Sequence, residues 1–280
     1  MKVKTSDLIS KILILIIMII FGIFALFPFY FLVTSSLRPG VEIMRNGVTL
    51  GINFKNMNLN NYVTLFTARE GIYYYWYWNS LAITAIFTFL SLFLSSFVGY
   101  GFAKYDFKFK NFLFILVLAI MMIPVEILIL PLYKLTIILK IINTYWGVIL
   151  PFVVSPFAIF FFRQYAVDIP KDFLDAARMD GCNDFGIFFK IMVPLMKPAF
   201  GAMAILQAMN SWNNFVWPLI ALRSNKMFTL PIGLSSLLAP YGNNYDMLMA
   251  GAVIAVIPIV IVYLFNQRAF ISGLTGGIKG

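Results

Sequence analysis

Three groups of residues in this chain have the types and spacing to do chemistry. The first is Asp175-Ala176-Ala177, followed after three residues by Gly181 and after nine more by Ile191-Met192-Val193-Pro194. The spacing predicts a short helix, a turn and a second helix. Two small alanines let a neighbouring surface approach closely, Gly181 supplies a positive φ, and Pro194 ends the element. Asp175 is placed to cap the helix or to pair with a basic group on a neighbour. The second group runs from Gln207 to Pro218 and holds Asn210, Trp212, Asn213 and Asn214. Amides hydrogen-bond hydroxyl groups and indoles pack on C–H faces, which suits an uncharged hydroxylated solute. The same residues also serve as interhelical hydrogen bonds and an interfacial aromatic belt, and the sequence leaves both readings open. The third is Glu126, a lone carboxylate in an otherwise apolar run between Pro124 and Pro131. It reads either as a pathway-lining group or as a partner for backbone amides freed where the prolines break a helix.

Other chemistries are excluded by composition. The chain has no His and one Cys (Cys182), so it holds no imidazole for a nucleophile pair, no His-ligated metal and no internal disulfide. Neither the phosphate-cradling G-x-x-x-x-G-K-[ST] pattern nor G-x-S-x-G occurs, so the chain neither hydrolyses ATP through a P-loop nor presents a nucleophile elbow. No enzymatic activity, cofactor or metal is expected. The formal charge of +10 comes from Lys and Arg scattered between long uncharged runs, which argues against nucleic acid as a partner.

The elements that carry these groups are membrane spans. Of the 280 residues, 61% are hydrophobic and 11% charged, and the mean hydropathy is +0.90. That is the composition of a chain dissolved in lipid. Five runs lack any charge: Ile12 to Leu37, Gly71 to Ala103, Ile141 to Phe162, Pro198 to Leu222 and Met247 to Gln267. Each reaches the roughly 20 residues a bilayer needs. Asn111 to Tyr133, interrupted only by Glu126, makes a sixth. The first run has a basic start, but its apolar stretch is too long for a signal peptide and no cleavage site follows. The aromatic block from Tyr73 to Trp78 belongs at headgroup level, so the second span is expected to begin near Ser80. Met227 to Tyr245 is broken by Pro231, Gly233, Pro240 and Gly242 and reads as a loop.

The expected fold is therefore an all-α, polytopic membrane protein of six transmembrane helices. Residues 1–33 form the N-terminal tail and first helix, 34–78 an extracytoplasmic loop rich in Asn (Asn53, Asn56, Asn58, Asn60, Asn61), 79–267 the transmembrane core and 268–280 a C-terminal tail. Within the core, 163–197 is the most charged segment, with five basic and five acidic residues. Alternate sides of the membrane receive 13 and 8 of the Lys and Arg, which puts both termini and this loop in the cytoplasm.

The Asp175 to Pro194 pattern resembles the Glu-Ala-Ala, three residues, Gly, nine residues, Ile-x-Leu-Pro signature of the membrane subunits of bacterial ATP-binding-cassette importers. Asp175 and Val193 replace Glu and Leu, and both keep the chemical type. Further segments resemble the carbohydrate-uptake branch: Thr34 to Pro39, Asn79-Ser80-Leu81, Met122-Ile123-Pro124 with Pro131-Leu132-Tyr133, Thr229 to Leu234, Met249-Ala250-Gly251, and Ser272-Gly273-Leu274 with Lys279-Gly280. Gln207 to Asn214 and Tyr241 to Asp246 look like permeases for L-arabinose or arabino-oligosaccharides. The resemblance implies one half of a permease heterodimer, carried on two ATPase subunits and fed by an extracytoplasmic sugar-binding protein. Asp175, Ala176, Ala177, Gly181, Ile191 and Pro194 would form its ATPase-coupling element. Glu126, Asn210, Trp212, Asn213 and Asn214 would border the sugar route. The rival from another class is a stand-alone secondary transporter or channel, which would ordinarily carry several intramembrane ionisable groups or inverted repeats. The topology has a direct test. A label placed between Asp168 and Lys190 should be shielded from an impermeant reagent added outside intact cells, and reaction from outside would overturn the orientation.

Overall fold

A computed structural model of the chain describes residues 5–47, 57–239 and 242–276. Lys2, Lys4, Asn53, Asn56, Tyr241 and the terminal Lys279-Gly280, all used in the sequence reading, lie outside the described residues. The described chain is helical apart from a two-residue antiparallel ribbon, Leu238–Ala239 (β1) against Gly242–Asn243 (β2). Three stretches are long and apolar enough to cross a membrane: Ile9–Ser36, the helical run ending at Lys104, and Tyr245–Phe265. Three bent pairs qualify together, Lys110–Met121 with Val125–Ile138 (102°), Tyr145–Phe152 with Pro156–Val167 (49°) and Asp184–Leu195 with Lys197–Trp212 (80°). If each bent pair counts as one span, there are up to six. Along the first helix, residues such as Ile14, Leu15, Met18, Phe21 and Phe24 are all more than half exposed, an arrangement stable only with hydrocarbon as solvent or a partner as cover.

The chain divides into two compact units, Met1–Tyr73 with Leu234–Val256 and Tyr74–Gly233 with Ile257–Gly280. The first contains α1 (Thr5–Ser36), α2 (Gly40–Asn46) and α3 (Asn60–Thr67). The described parts of the segment expected to be a polar loop from residue 34 contain helices α2 and α3. Helix α1 runs on to Ser36, with Thr34 returning its hydroxyl to Tyr30 O (2.9 Å) and Ser36 to Val33 O (2.8 Å). The buried amide of Asn61 then donates to Ser36 O (2.8 Å) and Arg38 O (2.7 Å), satisfying carbonyls at the end of α1.

The second unit carries most of α4 (Ile72–Lys104), then α5 (Lys110–Met121), α6 (Val125–Ile138), α7 (Tyr145–Ile149), α8 (Pro156–Val167), α9 (Asp172–Met179), α10 (Asp184–Ile187), α11 (Val193–Leu195), α12 (Lys197–Trp212) and α13 (Val216–Ala221). Helix α4 starts at Ile72, ahead of the aromatic block. The aromatic block is helical, and its rings alternate between inside and outside. Trp76 is fully buried and donates Nε1 to Asn225 O (2.9 Å), whereas Tyr74 and Trp78 face outward. Asn79 donates to Lys226 O and Phe228 O (both 2.9 Å), and Ser80 accepts from Leu230 N (2.7 Å), so the polar residues here stitch a connection rather than meet water. That connection, read as a loop from Met227 to Tyr245, contains α14 (Leu230–Ser235) and the β1–β2 ribbon. Gly99 lets α4 cross α8 closely: an added Cβ would sit 2.8 Å from Phe162 Cβ and 2.9 Å from Ile159 O.

Candidate functional site

The segment from Lys171 to Met196 is built as two short helices joined by a tight turn, with one face locked into the second unit. Helix α9 is strongly two-sided. Leu174 (2% exposed) and Ala177 (5%) join a buried cluster with Ile187, Phe188, Met192, Tyr100 and Phe162, whereas Asp175, Ala176 and Met179 (89% exposed) face away. The helix ends in a Schellman turn: Cys182 N donates to Ala177 O (2.9 Å), Gly181 N to Arg178 O (3.0 Å), and Gly181 takes φ +80°. Asn183 then caps α10, its Oδ1 accepting from Gly186 N at 2.8 Å. Phe188–Met192 widens into a π turn, with Val193 N reaching back to Phe188 O. The widening comes just before Pro194, which has no N–H to continue an α ladder.

Two expectations need correction here. Ala177 does not face a neighbour; it is packed inward, so only Ala176 of the pair lies on the outer face. Pro194 does not end the element either. It sits in α11, and the chain bends at Met196, where Met196 itself (0% exposed) anchors the corner. Ile191 is half-buried against the same cluster and Pro194 is exposed.

The electrostatics of the outer face are soft. Asp175 pairs with Arg178 at 3.3 Å across one turn, with both side chains about half exposed or more. Such a pair is worth about 0.2–1 kcal/mol, so it is free to exchange for another partner. Beside it opens a cleft of about 320 Å³ between Lys104, Tyr105, Asp106 and α9. Tyr105 donates to Asp184 Oδ1 (2.7 Å) and its hydroxyl lies 3.0 Å from that of Tyr100. Burial pushes the Tyr105 phenol above its ordinary pKa, keeping it a donor. Asp106 is held below the ordinary carboxylate value, first by its hydrogen bond from Lys110. Lys104, Tyr105 and Tyr100 were not singled out from sequence. The signal available was a Lys-Tyr-Asp triplet directly after the longest uncharged run.

The second group lies elsewhere in this unit. Helix α12 ends at Trp212, Asn213 N and Asn214 N closing on Met209 O (3.0 Å) and Ser211 O (3.3 Å), and the chain restarts as α13. Trp212 is buried (5% exposed) with its ring edge-on to Tyr77 at 5.9 Å. Asn210 and Asn213 are exposed and Asn214 half-buried, and among the described residues their side-chain amides make no hydrogen bond. Glu126 is exposed in the first turn of α6, just after Pro124 caps that helix, and among the described residues it forms no ion pair. It therefore stands in regular helix, not in the irregular segment at the break. No group of three or more Asp, Glu or Cys residues able to hold a metal occurs among the described residues.

The turn makes a measurable distinction. No atom lies within 4 Å of a Cβ added at Gly181, so Gly181→Ala should cost only the backbone term, about 1–2 kcal/mol. Ala177→Trp should lower the melting temperature of the detergent-purified protein well below that of Ala176→Trp, since only the former overfills a packed interior. The reverse order would contradict the inward placement of Ala177.

Comparison with known proteins places this geometry. A family described as the binding-protein-dependent transport system inner membrane component matches residues 91–275. The arabinooligosaccharides transport system permease protein AraQ of Bacillus subtilis is 58% identical over 256 residues, covering 91% of each chain. AraQ of Halalkalibacterium halodurans is 56% identical over 281 aligned residues and covers 100% of each. The lactose transport system permease protein LacG of Rhizobium radiobacter is 33% identical, again over 91% of each chain. Among solved structures, a bacterial ABC transporter involved in alginate import has a chain that superposes with a TM-score of 0.82 over 96% of this chain and 99% of that one. At 23% identity it speaks for the fold alone. The chain belongs to the inner-membrane permease family of binding-protein-dependent transport systems.

Proposed function

We propose that the chain is the membrane-spanning half of an ATP-driven importer for arabinose-containing oligosaccharides, and that residues 163–197 are its cytoplasmic coupling loop. The observation that carries the reading is the two-sidedness of α9. One face is fixed in the interior through Leu174 and Ala177, and the other offers Asp175, Ala176 and Met179 to a partner. A helix held in this way transmits displacement instead of absorbing it. The partner is an ATPase subunit, one of two, with a second permease completing the pathway and an extracytoplasmic sugar-binding protein delivering substrate. ATP binding draws the ATPases together, the coupling helices follow, and the permease passes from inward-facing to outward-facing.

The sugar class follows from the AraQ relatives together with the amides at the broken end of α12. Asn210, Asn213 and Asn214 carry donors and acceptors not consumed among the described residues, beside the indole of Trp212. Glu126, exposed on α6, gives no support to the ion-coupled rival, which needs a buried, partnered carboxylate.

In cells lacking the native gene, the wild-type chain expressed with its partner subunits should restore uptake of labelled arabino-oligosaccharides. Ala176→Trp should leave the permease inserted and stable while the ATPase no longer co-purifies and uptake falls roughly tenfold or more, the scale of a lost interface anchor. Normal co-purification and uptake with Ala176→Trp would remove this face from the ATPase contact. Restored uptake of an unrelated sugar alone would overturn the substrate class.

A further inference from the structure

Three consecutive residues at the end of α4 grip three successive parts of the loop. The Lys104 ammonium is buried (8% exposed) and donates to Val167 O (3.2 Å) and to Ile169 O, at the C-terminal end of α8. Asp106 faces Lys171, just ahead of α9, at 4.0 Å. Tyr105 reaches furthest. Its hydroxyl donates to Asp184 at the start of α10, and Arg178 of α9 lies over its ring with the guanidinium carbon 5.9 Å from the centroid. Arg178 also approaches Asp184 (3.6 Å), so Tyr105, Arg178 and Asp184 close a triangle across the Gly181 turn.

The three grips are unequal. The Asp106–Lys171 pair is long and exposed at both ends, so it contributes little. The Tyr105–Asp184 bond is short and made to a carboxylate, and although Asp184 is itself exposed, the bond is directional where the ion pair is not. It is also backed from inside. Because Tyr105 spends its proton on Asp184, the hydroxyl 3.0 Å away on Tyr100 donates to Tyr105, and Tyr100 (2% exposed) sits in the same buried cluster as Leu174 and Phe188. A polar chain thus runs from the interior of α4 through two phenols to the helix that follows the coupling turn. Apolar packing holds α9 and α10 against α4, and the directional hydrogen bond adds a polar tie at a defined register.

We infer that Tyr105 is a positioning residue of the transport cycle: its hydrogen bond to Asp184 ties the loop to α4, so that displacement of the loop by the ATPase is delivered to that span. The inference rests on the coupling-loop reading above and adds to it a defined route into the membrane.

The test uses the complete importer, with partner permease, ATPases and binding protein, in proteoliposomes, and reads sugar transported per ATP hydrolysed. Tyr105→Phe keeps the ring contacts with Arg178 and, edge-on at 5.4 Å, with Tyr100, and removes one hydroxyl. Expected are a melting temperature lowered by only a few degrees, retained ATPase co-purification, persisting binding-protein-stimulated hydrolysis, and roughly a tenfold fall in sugar per ATP, the scale of a hydrogen bond to a charged group. Asp184→Asn weakens the same bond from its other end and should lower the ratio similarly, with no further loss in the double variant. A wild-type ratio in either single variant overturns the inference and leaves the coupling reading standing, as do losses that simply add in the double variant. A fall that tracks loss of ATPase binding also overturns it, by assigning Tyr105 to docking. If the ATPase fails to co-purify even with the wild-type chain, the coupling reading itself falls, and the inference with it.

Discussion

The structure depends on burial of one face of the 171–196 segment. Leu174, Ile187, Phe188, Met192 and Met196 are all at most 2% exposed, and full burial of a side chain of this size contributes about 1.5–3 kcal/mol. Five of them outweigh any exposed ion pair on the opposite face, each worth about 0.2–1 kcal/mol. The order of magnitudes has a mechanical consequence. The inner face holds α9 and α10 in place, and the outer face is left to exchange partners without loosening the segment. Gly181 makes this possible by closing α9 in a left-handed turn that brings Cys182 back to Ala177, so that α10 leaves in a direction allowing Phe188 to join the same cluster.

A second constraint acts on the rest of the chain. A buried backbone group left unsatisfied is costly, so breaks between helices have to be answered locally. Asparagine supplies the answer repeatedly. Asn61 takes up carbonyls at the end of α1, Asn79 takes up Lys226 O and Phe228 O, and Asn143 Oδ1 receives Arg223 N (2.9 Å) and Ser224 N (3.1 Å). Against that pattern the amides at the end of α12 stand out, since among the described residues the side chains of Asn210, Asn213 and Asn214 answer no break.

The spans were legible because a bilayer demands long charge-free runs, and few other constraints write that pattern. Gly181 was legible because its neighbours fixed it at the end of a short helix, where only a residue without Cβ adopts positive φ cheaply. The inward turn of Ala177 was not. Two adjacent alanines give no amphipathic contrast, and only the position of Leu174 three residues earlier decides which one is covered. The burial of Trp76 was not legible because Tyr and Trp serve an interfacial belt and a buried helix face equally well, and Trp76 is distinguished only by a distant acceptor, Asn225 O. Tyr105 was invisible for a similar reason: its partners, Asp184 and Arg178, lie more than 70 residues away in the chain.

The central claim is that the outer face of α9 is where force enters the permease. A photoactivatable amino acid in place of Met179, 89% exposed beside the Gly181 turn, tests it in the assembled transporter, with the same group at Val41, 62% exposed on α2, as comparison. Illumination should capture the ATPase subunit from position 179 and not from position 41. Capture of the ATPase from position 41, or its absence from position 179 in an importer that is transporting sugar, would contradict the account.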